Sequence, residues 1–293
     1  MIKRTIEISD GPTFLRIEND QLVLERNHEE IGRVPAEDVG VLLVDHHSTT
    51  YTQGVLVRLL HHGAAVVVCG ADHLPAGMVV GFEQSALVAQ RVRLQAEAGL
   101  PVKKRLWRQI VQHKIRGQAR NMPSDDPATA VMLELARCVK SGDRENCEGQ
   151  AARLYWPAMF GEEFRREREG LPPNNLLNYG YMVMRAAVAR ALTSAGLSPA
   201  LGLHHSNRGN AFCLADDLVE VFRPMVDAVV VNLYVQQKLE LDREAKGAIL
   251  GLLTREISVG GQKGPLMVGL HRIIASLVRC LEGAEERLEL PDE

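Results

Sequence analysis

The sequence predicts an α+β protein in which a small N-terminal antiparallel β-domain precedes a larger all-α domain. Up to about residue 84 the apolar residues alternate with polar ones or form short continuous runs, which is typical of strands. From about residue 85 they recur at helical spacing. A chain of 293 residues, 46% of them hydrophobic, can fill more than one core. We therefore predict an N-terminal domain over 1–84, a connector over 85–98 and a C-terminal domain over 99–293.

The N-terminal strands are predicted from short alternating segments and the turns between them. Asp10-Gly11-Pro12 and Asn19-Asp20 have turn chemistry, and the segments that they separate predict an antiparallel meander over residues 4–9, 13–18 and 21–26. More continuous apolar runs predict strands over residues 38–45, 64–69 and 77–82. Between the first two of these runs, residues 53–62 predict a short helix.

The C-terminal helices are predicted from periodicity together with start and stop signals. Pro127 lies near a first turn and Gly142 follows the helix that begins there. Gly196 ends a long helix, and Pro224 must kink or end another. The helices are predicted near residues 127–141, 144–155, 176–194, from 215 onward, 242–259 and 265–283, before an acidic tail that we expect to be frayed.

Composition excludes several classes of protein. With 24% charged residues the chain is not low-complexity or collagen-like, and no apolar run approaches the roughly 18 residues of a membrane span. The N-terminus has no apolar segment typical of a signal peptide. Five cysteines without a CxxC pair argue against a disulfide framework or a cysteine zinc site. We therefore expect a cytoplasmic protein.

The net charge of −3 hides a strongly basic stretch. Residues 91–120 contain nine Lys/Arg and one acid, a net charge of +8, so the rest of the chain carries −11. On a helix, four of these residues form a basic stripe suited to DNA phosphates: Lys104, Arg108, Arg116 and Arg120. The charge pattern alone fits a solvated helix face equally well.

Residues 202–224 contain the strongest candidate for a metal site. Asp217 and Glu220 are neighbours on one helix face, and the preceding loop supplies His205. One imidazole with two or three carboxylates suits a hard divalent ion such as Mg²⁺ or Mn²⁺. The alternative is that Asp216 or Asp217 caps a helix and that Glu220 is solvated.

A second candidate, Asp45-His46-His47, follows the apolar strand segment 41–44 and resembles the DHH phosphoesterases. That family also requires an Asp-rich motif on an earlier strand, and residues 1–40 contain no DxD. The alternative is a polar turn between a strand and a helix.

Four motifs in order carry a more specific resemblance. EGQAARLYW at residues 148–156, LNYGYMVMRAAVARAL at 177–192, GLHHSN at 202–207 and LADDLVEVFRP at 214–224 resemble the CRISPR-associated integrase of spacer acquisition, the Cas-one family. The similarity extends over essentially the whole chain, and the local sequence of its motifs most resembles the type II branch of the family.

The resemblance implies specific roles for residues and partners. The β-domain would form a homodimer, and the helical domain would be the catalytic one, with Glu148, His205 and Glu220 binding the metal. His205 is chosen over His204 because it keeps the family's spacing to the last acid, and Asp217 is a fourth acidic position near the metal. Double-stranded DNA, as prespacer and CRISPR repeat, would be the substrate. A small ferredoxin-fold CRISPR adaptation protein would bridge two dimers.

Three hypotheses on function follow. The first, implied by the resemblance, is a metal-dependent DNA endonuclease/integrase that inserts short foreign DNA segments into a CRISPR array by 3′-OH transesterification. The second is a small-substrate phosphoesterase that uses Asp45, His46 and His47. The third is a non-catalytic DNA-binding scaffold with a degenerate site, which would bind DNA in a salt-sensitive way.

Overall fold

The computed structural model describes residues 3–71, 73, 75–81, 85–167 and 170–292. In these residues the N-terminal part forms two four-stranded sheets, of order β1-β5-β7-β8 and β4-β3-β2-β6. One helix, α1 (Gln53–His61), lies where the sequence predicts it. The strands are β1 (Arg4–Ile8), β2 (Phe14–Glu18), β3 (Gln21–Arg26), β4 (Glu29–Pro35), β5 (Val39–Val44), β6 (Thr50–Tyr51), β7 (Ala65–Cys69) and β8 (Pro75–Val79).

The predicted α+β class is confirmed, but the strand pairing is not antiparallel throughout. β2, β3 and β4 form an antiparallel meander, whereas β1 pairs in parallel with β5, and β5 pairs in parallel with β7. The reason is that every residue of β5 is buried, so this strand is covered on both faces. Its continuous apolar run, Val39–Val44, is typical of such a parallel strand, and the expectation of a wholly antiparallel domain was wrong here.

β4 was not predicted, because its sequence lacks the apolar alternation of a half-buried strand. It begins Glu29-Glu30 and is largely exposed at the edge of its sheet. Charged residues are common on edge strands, where they discourage pairing with other chains. A strand was predicted over residues 77–82. The observed strand β8 begins earlier, at Pro75, and ends at Val79, and Phe82 lies outside the described residues.

The central strand β5 connects two hydrophobic cores. Leu42 and Val44 pack in the N-terminal core with Leu15 and Leu59. Val41 and Leu43, on the alternate face, belong to the same core as the C-terminal helices. The first sheet is therefore packed directly against the helical part of the chain.

Within the described residues the C-terminal part contains nine α-helices and one hairpin. The longest helices are α3, whose inner face is apolar, and α6, which is buried nearly all round. The elements are α2 (Val88–Glu97), α3 (Leu100–Asn121), α4 (Pro127–Cys138), α5 (Cys147–Phe160), α6 (Asn174–Ser194), α7 (Cys213–Val219), α8 (Arg223–Val235), α9 (Arg243–Leu250), β9 (Glu256–Val259), β10 (Gln262–Pro265) and α10 (Leu266–Leu281).

The predicted connector over 85–98 contains α2, and Gln95 on this helix is hydrogen-bonded to the backbone of Ser198 at 3.0 and 2.7 Å. The predicted end of the first domain, at residue 84, lies outside the described residues. The division into 1–84, 85–98 and 99–293 stays a prediction.

The predicted helix over residues 242–259 was wrong beyond Leu250. β9 and β10 form a hairpin whose two turn residues, Gly260 and Gly261, have φ of 59° and 73°. Adjacent glycines with positive φ are typical of a two-residue hairpin turn. The acidic tail is also not frayed: Leu288 is buried, and Pro291 forms a β-bridge with Val259.

Prolines mark two of the remaining boundaries. Pro224 lies in the first turn of α8 and separates it from α7, as predicted. Pro157 lies inside α5, which continues to Phe160 instead of ending near Tyr155. In the parts of the chain that are described, no helix is long and apolar enough to cross a membrane.

Candidate active site

Two carboxylates, those of Glu148 and Glu220, converge on one ammonium group, that of Lys114. The Lys114 Nζ binds Glu148 Oε1 and lies 2.5 Å from Glu220 Oε2. The other oxygen of Glu220, Oε1, forms an ion pair with Arg223, whose Nε lies 2.9 Å away. The side chain of Glu148 is 28% exposed and that of Glu220 is 5% exposed, so the site opens to solvent on the Glu148 side.

Local hydrogen bonds place Glu148 in the first turn of α5. Asn146 caps this helix by accepting from the Gly149 backbone N–H at 3.1 Å, and Asp143 accepts from the backbone N–H groups of Cys147 and Glu148. A Cβ on Gly149 would lie 2.6 Å from the Asn146 side chain, so a larger residue there would displace the capping group. A carboxylate in this first turn is also stabilised by the helix dipole.

Asp217 shapes the loop that carries His205. Its fully buried carboxylate accepts from the backbone N–H groups of Leu203, His204 and His205 at 2.6–3.1 Å. A Cβ on Gly202 would lie 2.2 Å from the His205 carbonyl oxygen, so the loop can close only around glycine. The capping alternative for Asp217 was therefore wrong, because this residue binds the loop and caps no helix.

The same carboxylate fixes the orientation of the His205 ring. Asp217 Oδ1 lies 2.7 Å from His205 Nδ1, which leaves Nε2 as the nitrogen that can bind a ligand. The hydrogen bond to Asp217 raises the pKa of His205, and partial burial opposes this effect. A carboxylate behind a histidine in this way is common at metal sites.

The two adjacent histidines have different surroundings. The His204 ring stacks on Trp107, with centroids 4.3 Å apart and planes within 2°. The His205 ring meets the edge of the same indole at 5.7 Å. Trp107 is buried in α3, so its contacts with both rings fix the loop against this helix. The His205 side chain is nevertheless partly open to solvent.

The buried charges at the site stabilise one another. Burial lowers the pKa of Lys114, but Glu220 and Glu148 outweigh it and the pKa is raised overall. Burial raises the pKa of Glu220, but Arg223 and Lys114 outweigh it and the pKa is lowered overall. Lys114 and Glu220 are therefore both charged at neutral pH, and Glu220 is available as an anion.

The donors suit a hard divalent cation, although an ammonium lies between two of them. No group of three or more His, Cys, Asp or Glu side chains in the described residues is arranged to hold a metal ion. Glu148 and Glu220 nevertheless share one cation, and His205 lies close enough to Glu220 to affect its pKa. Carboxylate oxygens with one imidazole nitrogen fit Mg²⁺ or Mn²⁺, provided that Lys114 moves aside.

The four residues of the basic stripe all lie on α3, as the sequence indicates. Arg108 and Arg120 are exposed, whereas Lys104 and Arg116 are half-buried. Between them, Lys114 faces inward to the carboxylates. Helix α3 therefore carries both the predicted DNA-binding surface and a charged residue of the site.

The surroundings of Asp45 do not support the phosphoesterase hypothesis based on Asp45-His46-His47. Its side chain is 1% exposed, binds the Lys246 ammonium and lies 3.0 Å from His73 Nδ1. The His46 and His47 rings stack on each other outside this pair. The carboxylate is already paired inside the protein, between β5 and α9, and no group of three or more His, Cys, Asp or Glu side chains in the described residues is arranged around it to hold a metal ion.

We expect Lys246→Met to destabilise the protein by about 3–5 kcal/mol, because it leaves the buried Asp45 without its cation. Urea unfolding followed by circular dichroism measures the change. Lys238→Met is the matched control, since Lys238 pairs with the exposed Glu244 and its loss should cost under about 1 kcal/mol. Equal costs for the two variants would contradict a structural role for the Asp45–Lys246 pair.

Sequence reasoning missed Lys114 as a member of the site. It follows Leu106 and Ile110 at intervals of four and precedes Ile115, so it falls on the apolar face of α3. A lysine on an inward face is rarely buried without an acidic partner. The position of Lys114 on the apolar face therefore indicated a buried lysine with an acidic partner. This was overlooked because Lys114 was counted among the surface charges of the basic stretch.

Comparisons with known proteins agree on one family. The family model for "CRISPR associated protein Cas1" matches residues 7–257. The CRISPR-associated endonuclease Cas1 of Neisseria meningitidis serogroup C (strain 8013) is 36% identical over 297 residues, covering 100% of this chain and 97% of that protein.

Two solved structures share the fold at low sequence identity. A casposase bound to an integration product superposes with a TM-score of 0.78 at 18% identity, covering 98% of this chain and 92% of that one. A chain of a partial Cas6-RT-Cas1–Cas2 complex superposes with a TM-score of 0.63 at 16% identity, covering 97% of each chain.

Proposed function

The chain belongs to the CRISPR-associated Cas1 family, and on that premise we propose that it is a divalent-metal-dependent DNA endonuclease and integrase of spacer acquisition. It inserts short double-stranded DNA into a CRISPR array by transesterification. The similarity to an endonuclease of this family over the full chain supports the nuclease class. The metal dependence and the roles of individual residues are argued from the site.

The observation that carries the proposal is the convergence of Glu148 and Glu220 on one cation. Two carboxylates that share a cation can share a divalent ion, with His205 Nε2 as a third ligand. Asp217 holds the His205 ring from behind and is a positioning residue, because four donors already use its oxygens. When bound, Mg²⁺ or Mn²⁺ would polarise the phosphoryl group and stabilise the departing oxygen.

The reaction requires no nucleophile from the protein. The 3′-OH of the incoming DNA attacks a phosphodiester of the repeat and forms a new P–O bond. The bond to the 3′ oxygen of the repeat strand breaks, and the proton lost by the attacking hydroxyl balances the one that the leaving oxygen gains. The protein positions the reacting groups, and the opening beside Glu148 gives DNA access to the site.

The basic stripe of α3 is proposed to hold DNA phosphates beside the site. Lys104, Arg108, Arg116 and Arg120 would contact the backbone, which provides affinity with little sequence information. As partners we propose a second copy of the chain, bound through the N-terminal β-domain, and a small ferredoxin-fold protein that bridges two such dimers. The fold shared with a chain of a partial Cas6-RT-Cas1–Cas2 complex supports association with another Cas protein.

A strand-transfer assay tests the proposal. A labelled short duplex with free 3′-OH ends is mixed with a supercoiled plasmid that contains a repeat, with and without the partner protein. We expect label on the plasmid in Mn²⁺ or Mg²⁺ and none in EDTA, because the carboxylates need the ion to act on a phosphodiester. Salt-sensitive duplex binding without transfer, with the partner present, would instead favour the non-catalytic scaffold.

A further inference from the structure

Lys114 is buried where the other basic residues of its helix are exposed or half-buried. Its side chain is 11% exposed, and its ammonium lies between the carboxylates of Glu148 and Glu220. These two residues come from different helical segments, α5 and the end of α7. One ammonium thus holds together two parts of the site that are distant in sequence.

We propose that Lys114 is a built-in counter-ion that occupies the place of the divalent metal and competes with it for Glu148 and Glu220. This inference rests on the proposed function, since it takes these two carboxylates as metal ligands. Lys114 is a positioning residue in this scheme, because it acts through the carboxylates and not on the substrate.

The arrangement of cations around Glu220 supports this role. Arg223 holds Oε1 at 2.9 Å, so it can stay in place when a metal binds. Lys114 lies at Oε2, on the side shared with Glu148. A divalent ion between the two carboxylates would need the space of this ammonium, so the two cations exclude each other.

The chemistry of lysine also suits a cation that can be displaced. Its ammonium is a point charge on a flexible four-carbon stem, whereas the planar fork of arginine binds carboxylates more rigidly. The ammonium can withdraw while the backbone of α3 stays in place. In the metal-free protein it prevents two carboxylates, one of them buried, from repelling each other.

The first test measures Mn²⁺ affinity without DNA, by the electron paramagnetic resonance signal of free Mn²⁺. We expect Lys114→Met to bind Mn²⁺ about tenfold more tightly than the unmodified protein, because the competing charge is gone. Lys114→Arg keeps the charge and should bind no more tightly than the unmodified protein. Lys103→Met removes the same charge from the start of α3 and should change the affinity by less than about twofold.

The second test measures thermal unfolding with and without Mn²⁺. In EDTA, Lys114→Met should unfold at a lower temperature, because Glu148 and Glu220 then face each other without the ammonium between them, and only Glu220 keeps a cation, that of Arg223. Mn²⁺ should raise its unfolding temperature by more than it raises that of the unmodified protein. If Lys114→Met does not fold, Lys114→Gln, which keeps a polar head group, takes its place in both measurements.

Glu148→Gln separates failure of this inference from failure of the proposed function. If Glu148→Gln loses Mn²⁺ binding while Lys114→Met binds as the unmodified protein does, the competition by Lys114 is overturned and the metal site stands. If Glu148→Gln binds Mn²⁺ normally, the carboxylates are not the metal ligands and both proposals fail.

Discussion

Glu148→Gln and Glu220→Gln should each reduce metal-dependent strand transfer by about a thousandfold or more, which corresponds to about 4 kcal/mol of transition-state stabilisation. Glutamine keeps the size of the side chain but removes the negative charge that a hard divalent ion requires. The loss should appear with Mn²⁺ and Mg²⁺ alike. Single-turnover transfer of a labelled duplex to a plasmid measures it.

The two variants should differ in stability although they lose the same activity. Glu220 is buried between Lys114 and Arg223, so Glu220→Gln takes this carboxylate away from Arg223 and leaves Lys114 with Glu148 alone, which should cost about 3–5 kcal/mol. Glu148 is partly exposed, so Glu148→Gln should lower the stability of the protein by less. Glu148→Gln is therefore the cleaner test of activity, and urea unfolding checks that both variants are folded.

Glu145→Gln is the matched control for these substitutions. Glu145 lies shortly before α5 and pairs with Lys140 on the surface, with 51% of its side chain exposed. It should transfer DNA at the unmodified rate, because it lies outside the proposed ligand set. Normal transfer by folded Glu148→Gln and Glu220→Gln would refute the proposed metal site.

The helices were predictable because their signals are local. Apolar spacing and the positions of Pro127, Gly196 and Pro224 determine most of their boundaries. The parallel pairing of β1 with β5 was not predictable in this way, because the two strands are separated by the whole meander. Pairing over that distance depends on which faces are buried in the complete fold, and the order of segments does not reveal it.

The site residues likewise fall into those that the local sequence places together and those that only the complete fold brings together. His205 and Asp217 are twelve residues apart in one loop-and-helix motif, so the residues alone suggested that they lie together. Glu148 was connected to them only by family resemblance, because its place depends on how α5 and α7 each pack against α3. Lys114 contacts these acids from a third helix, and its role became visible only from their positions around its ammonium.

Asp217→Asn should weaken metal-dependent transfer by about 10–100-fold, through the loop that carries His205. Oδ1 of Asp217 accepts from the backbone N–H and the ring Nδ1 of His205, and Oδ2 accepts from the backbone N–H groups of Leu203 and His204. An amide has only one oxygen, so one of these pairs of donors would face an NH₂ group. Each buried donor left without a partner costs about 1–3 kcal/mol, and the loop should loosen.

The metal dependence of this variant distinguishes a positioning role from direct ligation. If Asp217 acts by holding His205, a loosened ring still has Nε2, and high Mn²⁺ should restore much of the transfer rate. Glu148→Gln should not recover, because it has lost a ligand. Asp126→Asn is the control for the chemical change, since asparagine caps α4 as well as aspartate does. A loss in Asp217→Asn that no concentration of Mn²⁺ restores would place Asp217 among the metal ligands, and the four donors around its carboxylate would then have to rearrange when the ion binds.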